Sequence, residues 1–167
     1  MLLFSSALTK HKLTFTKLSD CMDYVPIAAK WAEDEWGYIR NKGIDYRAEV
    51  MRTLKDNVYI GTFAGQPVAM FALLDHSFNA DLVKTTDNLT HARELMYVYV
   101  EKDCRGLGFG KQIIEKAKRL AAELGSDLIL LDTLKPSLNG LYKKHGAEVV
   151  CEGQLFSHPT DVLRIVI

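Results

Sequence analysis

Cys104-Arg105-Gly106-Leu107-Gly108-Phe109-Gly110-Lys111, running on into Gln112-Ile113-Ile114, is the stretch whose reading decides the fold of this chain. An apolar, strand-like run at residues 95–100 precedes it, and a helix-like run at 111–124 follows. Glycine on alternate positions lets other groups approach the backbone closely and admits positive φ, so several N–H groups can converge on one bound group. A helix beginning there adds its unpaired N–H groups and the positive end of its dipole. The stretch therefore predicts an anion site, suited to phosphate or pyrophosphate.

Spacing decides which kind. The phosphate loop of nucleotidases needs Gly five residues before the Gly-Lys pair and Ser or Thr after it; here those positions hold Arg105 and Gln112. The dinucleotide fingerprint needs a third Gly three residues after the second; here it would fall on Lys111 or Ile113. What is left is Arg-x-x-Gly-x-Gly, Arg105 to Gly110, after a strand and opening a helix. This resembles the acyl-CoA signature of the GNAT superfamily of N-acyltransferases. The resemblance implies that the backbone of Gly106, Gly108 and Gly110 holds the coenzyme A pyrophosphate, with Arg105 as a planar fork and Lys111 as a point charge neutralising it.

The chain has 167 residues, the length of one domain, and one core is expected over 1–167. Lysine plus arginine and aspartate plus glutamate number 21 each, so no excess charge draws the chain to nucleic acid or an anionic membrane. Cys21, Cys104 and Cys151 are far apart and without metal-ligand spacing, which suits free thiols in a reducing compartment. The isolated histidines suggest no metal. No run approaches the ~20 apolar residues that span a bilayer, and a cytoplasmic protein is expected.

Taken in order, residues 12–18 alternate as a half-exposed strand, and Ser19 or Asp20 is expected to cap a helix over 22–36 with Pro26 in its first turn. A second helix over 46–54 carries Arg47, Glu49 and Arg52 as its expected wet face. Residues 57–63 and 67–74 form a hairpin around Ala64-Gly65-Gln66. The polar stretch 75–92 reads as a site wall or lid. After the strand at 93–100, the glycine loop and its helix, residues 128–131 read as a strand buried on both faces. A short helix over 136–144 follows. The closing strands are 147–151 and 161–167, with 152–160 as a turn-rich joint.

This order of elements is similar to that of the GNAT fold and covers essentially the whole chain. The fold class implied is α/β (α+β): a mixed central sheet of about seven strands flanked by about four helices, splayed between strands 4 and 5. By that resemblance the pantetheine arm lies in the splay, and backbone groups at Val98, Tyr99 and Val100 bond its amides. Alternation puts the side chains of Val98 and Val100 on one face and that of Tyr99 on the other.

Acyl transfer from a thioester to an amine needs a neutral amine, a stabilised oxyanion and a proton for the thiolate. Glu94 is the candidate base: it lies four residues before Val98, on the same face by the two-residue period, and some family members place a base there. A water held by backbone carbonyls is the alternative, and Asp132 a weaker competitor. Tyr142 is the candidate acid, because Leu141-Tyr142-Lys143-Lys144-His145-Gly146-Ala147 resembles the family's second motif. The family's usual Asn seven residues before that Tyr is Lys135 here; Asn139, three before it, either takes over the coenzyme A contact or leaves it missing. Trp31, Trp36 and Tyr38 wall an acceptor pocket, with Glu33, Asp34 and Glu35 drawing in a cation, or are simply the core and wet faces of one helix.

The resemblance implies an N-acetyltransferase that uses acetyl-CoA as co-substrate, needs no metal, and acts on a small-molecule or peptide amine. A homodimer is a further expectation. The alternative is a non-catalytic acyl-CoA sensor or interaction module of the same fold.

Overall fold

The computed structural model describes residues 11–39, 41–75, 91–133, 138–155 and 158–167. In chain order these form β1 (Thr14–Lys17), α1 (Val25–Trp36), α2 (Ile44–Thr53), β2 (Val58–Phe63), β3 (Gln66–Asp75), β4 (Ala92–Val100), α3 (Phe109–Glu123), β5 (Leu128–Thr133), α4 (Asn139–Lys144), β6 (Ala147–Leu155) and β7 (His158–Val166). One seven-stranded sheet runs β1-β2-β3-β4-β5-β7-β6. The β4–β5 pair is parallel and the other neighbours are antiparallel, so the sheet is mixed as expected.

The sheet divides the core in two. Phe71, Leu73, Leu95, Ile129, Leu131 and Leu163 pack on one face against Ile113, Ile114, Ala117 and Ala121, the apolar stripe of α3. Met70, Ala72 and Leu74 pack on the other against Val25, Ala28, Trp31 and Ala32 of α1 and Met51 of α2. Both faces of β3 are thus covered, which is why its sequence is continuously apolar rather than alternating.

Local chemistry sets the joints. Ala64 and Gly65, at φ 52° and 78°, make a two-residue turn that matches strand twist, and Gln66 already pairs with Phe63. Pro26 sits in the first turn of α1, where a missing N–H costs no helical bond. The expected cap is not there: two short 3-10 turns, Leu18–Asp20 and Met22–Tyr24, precede the helix, and its N-cap position is Tyr24, with no side-chain capping bond.

Two other expectations are corrected. Arg47 is buried rather than on a wet face, because its Nε donates to Glu33 Oε2 at 3.1 Å and its Nη2 to the Trp36 carbonyl at 3.0 Å, clipping α2 to the end of α1. Residues 152–160 are not a turn-rich joint: β6 and β7 continue towards each other until Leu155 pairs with His158. Gly153 and Pro159 disguise this. Among the described residues the β5–β7 pairing ends at Asp161, and Pro159 lies beyond it, opposite Gln154 of β6. The wall or lid expected at 75–92 falls largely on residues 76–90, outside those described.

The opening that positions the site lies between β4 and β5. Pairing runs from Ala92↔Leu128 to Leu95↔Leu131 and stops there, while β4 continues to Val100 along β3 and β5 to Thr133 along β7. The two strands part at the end from which the glycine loop departs.

Candidate active site

The glycine loop has the geometry of an anion cradle. A 3-10 turn at Lys102–Cys104 leads to Arg105 in extended conformation, then Gly106 at φ 88° and Gly108 at φ 85°, the N-cap of α3. A side chain at either position would hold a left-handed conformation at a cost of roughly 1–2 kcal/mol. Gly110 is required for another reason: a Cβ there would stand 3.2 Å from Leu141 Cδ2, so its absence lets α4 close on α3. Phe109 is buried and anchors the helix start, leaving the first N–H groups of α3 at the mouth of the loop. Lys111, with 63% of its side chain exposed, stands 3.8 Å from Glu115. These groups fit a diphosphate: main-chain donors, two backbone positions without side chains, and a cation nearby.

Arg105 is engaged by groups of the chain itself. Its Nε donates to the Val100 carbonyl at 2.8 Å, its guanidinium lies 5.5 Å from the centre of the Tyr99 ring, and Nη2 is 4.0 Å from Glu35. The fork therefore ties the loop to the end of β4 and to α1. Tyr99 stacks in turn on Trp31 at 5.3 Å, and Trp31 Nε1 donates to Glu101 at 2.5 Å. Burial, then the Glu101 carboxylate, raises the Tyr99 phenol above its ordinary value, with Arg105 acting in opposition.

Facing the opening, Val98 and Val100 pack with the α3 face and Tyr99 with the α1 face, as alternation predicts. The argument for Glu94 fails on geometry, however. Tyr97 has φ 53° and the β3–β4 register slips by one residue there, so β4 bulges. The extra residue inverts the count: Met96, Tyr97 and Tyr99 all lie on the α1 side, and Glu94, opposite Leu74, shares that side with them and not with Val98. Glu94 is 3% exposed, buried at the base of the opening rather than at a solvated strand entrance. The ring of Tyr97 meets Trp36 edge-on at 5.5 Å.

Asp132 lies on the same sheet face as Glu94, one pleat nearer the opening. Glu94 pairs with Leu130, and Asp132 is the next residue of β5 on that side, beyond the last β4–β5 pair. Burial raises its carboxyl to about 6.

Tyr142 is 5% exposed in the α3-side core, where burial pushes its phenol up to about 12. Asn139 anchors the start of the same helix: it accepts from Thr133 Oγ1 at 2.5 Å and donates to Asp161 Oδ2 at 2.8 Å, bridging β5 and β7. Lys135 lies outside the described residues. On the acidic face of α1, Glu33 is bonded to Arg47, Asp34 to Lys30 at 2.7 Å, and Glu35 stands near Arg105. Trp31 is core.

Sequence reasoning missed the Tyr97 bulge, the Arg47 clip and Gln112. The Gln112 side chain donates to the His11 carbonyl at 2.6 Å and accepts from the Leu13 N–H at 2.8 Å, fastening the chain ahead of β1 to the first turns of α3. None of the three carries a local signal. Among the described residues no helix is long and apolar enough to cross a membrane.

Comparison with known proteins agrees with this architecture. The chain is similar to an acyl-CoA N-acyltransferase from Pseudomonas aeruginosa, with 18% identity over 93% of this chain and 99% of that one and a TM-score of 0.63. It is also similar to Rv2747 from Mycobacterium tuberculosis, solved in complex with CoA and NLQ (12% identity, 87% and 95% coverage, TM-score 0.66). A GNAT family acetyltransferase from Elizabethkingia anophelis with acetyl-CoA bound is similar too (12% identity, 71% and 82% coverage, TM-score 0.55). At such identities the likeness is one of fold. No curated protein sequence matches the chain. The family model described as "Acetyltransferase (GNAT) domain" matches residues 55–146, over half of the chain and all of the loop and opening just described, and the chain belongs to that family.

Proposed function

We propose that the protein moves an acetyl group from acetyl-CoA to a primary amine, small molecule or peptide, by direct attack while both reactants are held together. The observation that carries this reading is the junction of the α3 mouth with the length of β4 past Leu95: an anion cradle adjoining a strand edge that, among the described residues, β5 no longer pairs. It suits a ligand with a diphosphate at one end and an amide-bearing arm along its length.

In this reading the amides of Gly106, Gly108, Gly110 and Lys111 hold the diphosphate and Arg105 braces the loop from behind. The edge of Val98, Tyr99 and Val100 bonds the arm. Juxtaposition itself removes much of the barrier. A lysine-like amine is uncharged in only about one molecule in a few thousand at pH 7, so a base is needed, and Glu94 is the buried carboxylate on the acceptor side. Tyr142, protonated throughout the neutral range, donates to the departing thiolate. Asn139 holds α4, and with it Tyr142, against β5 and β7.

Calorimetric titration with acetyl-CoA, followed by thiol release with spermidine, kanamycin, tyramine and a peptide N-terminus, tests the proposal. Saturable binding and amine-dependent thiol release are expected. Binding without release would turn the reading to the non-catalytic alternative, and absence of binding would overturn both.

A further inference from the structure

We propose that Asp132 is a second catalytic carboxylate of this site, the group that takes the proton from the acceptor ammonium in place of Glu94, which lies behind it. This rests on the acetyl-transfer reading above. The register carries it. Ala92, Leu128 and Leu130 form a small cluster on the α1 side of the sheet, and Glu94 and Asp132 continue that face along β4 and β5. Glu94 lies within the paired stretch, opposite Leu130; Asp132 lies past the last pair, where the strands have parted. Two residues along a strand are roughly 7 Å, so Asp132 stands that much farther along β5 than Leu130, on the side where the strands part.

The surroundings suit a base. Burial raises Asp132 to about 6, which leaves it ionised at neutral pH and a better proton acceptor than an ordinary aspartate. Among the described residues, the charged groups on the same face of the sheet are Glu94 on β4, Arg164 on β7 and Glu148 on β6, and the α1 side also carries Glu101, which follows β4, with the pairs Arg47–Glu33 and Arg105–Glu35. Arg164 is engaged with Glu148 at 3.1 Å, one strand farther out.

The step balances. An ammonium N–H bond breaks and an O–H bond forms on Asp132, which later returns this proton to solvent. The freed nitrogen lone pair forms the C–N bond and the C–S bond breaks. Tyr142 protonates the sulfur and is reprotonated by the second proton leaving the nitrogen. One amide, one thiol and one proton result.

The test compares wild type with Asp132→Asn, using the same four acceptors and also hydroxylamine, a nucleophile that is uncharged at neutral pH and needs no deprotonation. The substitution is expected to lower kcat/KM for the amines about 100-fold, to erase the rising limb near pH 6, and to leave acetyl-CoA affinity and hydroxylamine-driven thiol release near wild type. Retention of the full amine rate and of the limb would overturn the assignment while sparing the acetyltransferase reading. Equal loss with amines and hydroxylamine would also overturn it, as the mark of a merely structural residue. Wild type that binds acetyl-CoA but acetylates no acceptor would remove Asp132 and catalysis together, whereas failure to bind acetyl-CoA would remove the reading beneath both.

Discussion

Tyr142 and Asp132 are two acids moved in the same direction by the same cause, with opposite uses. Burial holds the Tyr142 proton in place up to about pH 12, so the phenol is available as a donor over the whole working range. Tyr142→Phe should therefore lower kcat about 10- to 100-fold with unchanged acetyl-CoA affinity, checked by thiol release beside calorimetry; an unchanged kcat would remove the acid. Burial of Asp132 has a cost in stability. Its carboxyl rises from 3.8 to about 6 on folding. Below the unfolded value both states are protonated and nothing is lost; between the two values the unfolded chain ionises while the native state stays protonated, and stability falls until the pH reaches the folded value. Above that the deficit is constant, at most about 3 kcal/mol. Asp132→Asn is expected to raise the melting temperature at pH 8 and to leave it nearly unchanged at pH 3.5, as scanning calorimetry would register. Lower stability at pH 8 would contradict the burial argument.

At the scale of elements, the glycine loop is where sequence and structure agree most closely, because each glycine answers a local backbone demand. Gly106 and Gly108 need positive φ, and Gly110 needs the missing Cβ that admits Leu141. The last point is testable by coupling. Gly110→Val should cost about 1–3 kcal/mol of stability, and Leu141→Ala in the same chain should recover part of it; urea unfolding of the single and double variants measures the interaction. The order of elements along the chain, the two helix stripes and the parallel β4–β5 pair were likewise legible, since hydrophobic period and a crossover connection are properties of contiguous residues, whereas the parting of β4 from β5 was implied only by the family resemblance.

What the letters concealed depends on distant partners. Tyr97 has nothing in its own sequence to mark a bulge, and the bulge decides which side of β4 Glu94 faces. Arg47 reads as an exposed helix residue until Glu33 and the Trp36 carbonyl, from another helix, claim it. Asn139 reads as a cofactor contact, yet its visible bonds run to Thr133 and Asp161, one before and one well after it in the chain. At β6 and β7, Gly153 and Pro159 imitated a joint, because turn-forming letters do not say that the two strands go on pairing through them to Leu155 and His158.

Across the whole molecule, the sheet separates two jobs. The α3 side supplies the anion cradle, the buried Tyr142 and one core. The α1 side carries Glu94, Asp132, Met96 and Tyr97, the surface proposed to face the acceptor. The opening between β4 and β5 is the passage that joins them, and the tie from Arg105 through Tyr99 to Trp31 links the loop to α1 across the end of β4. A bound ligand present at 100 times its dissociation constant stabilises the fold by about 2.7 kcal/mol, but a melting shift alone does not say where it binds. Hydrogen exchange with and without acetyl-CoA does. Slowed exchange concentrated at the amides of residues 98–100 and 106–111 is the predicted result; unchanged exchange at both segments, with acetyl-CoA saturating or not, would contradict the account.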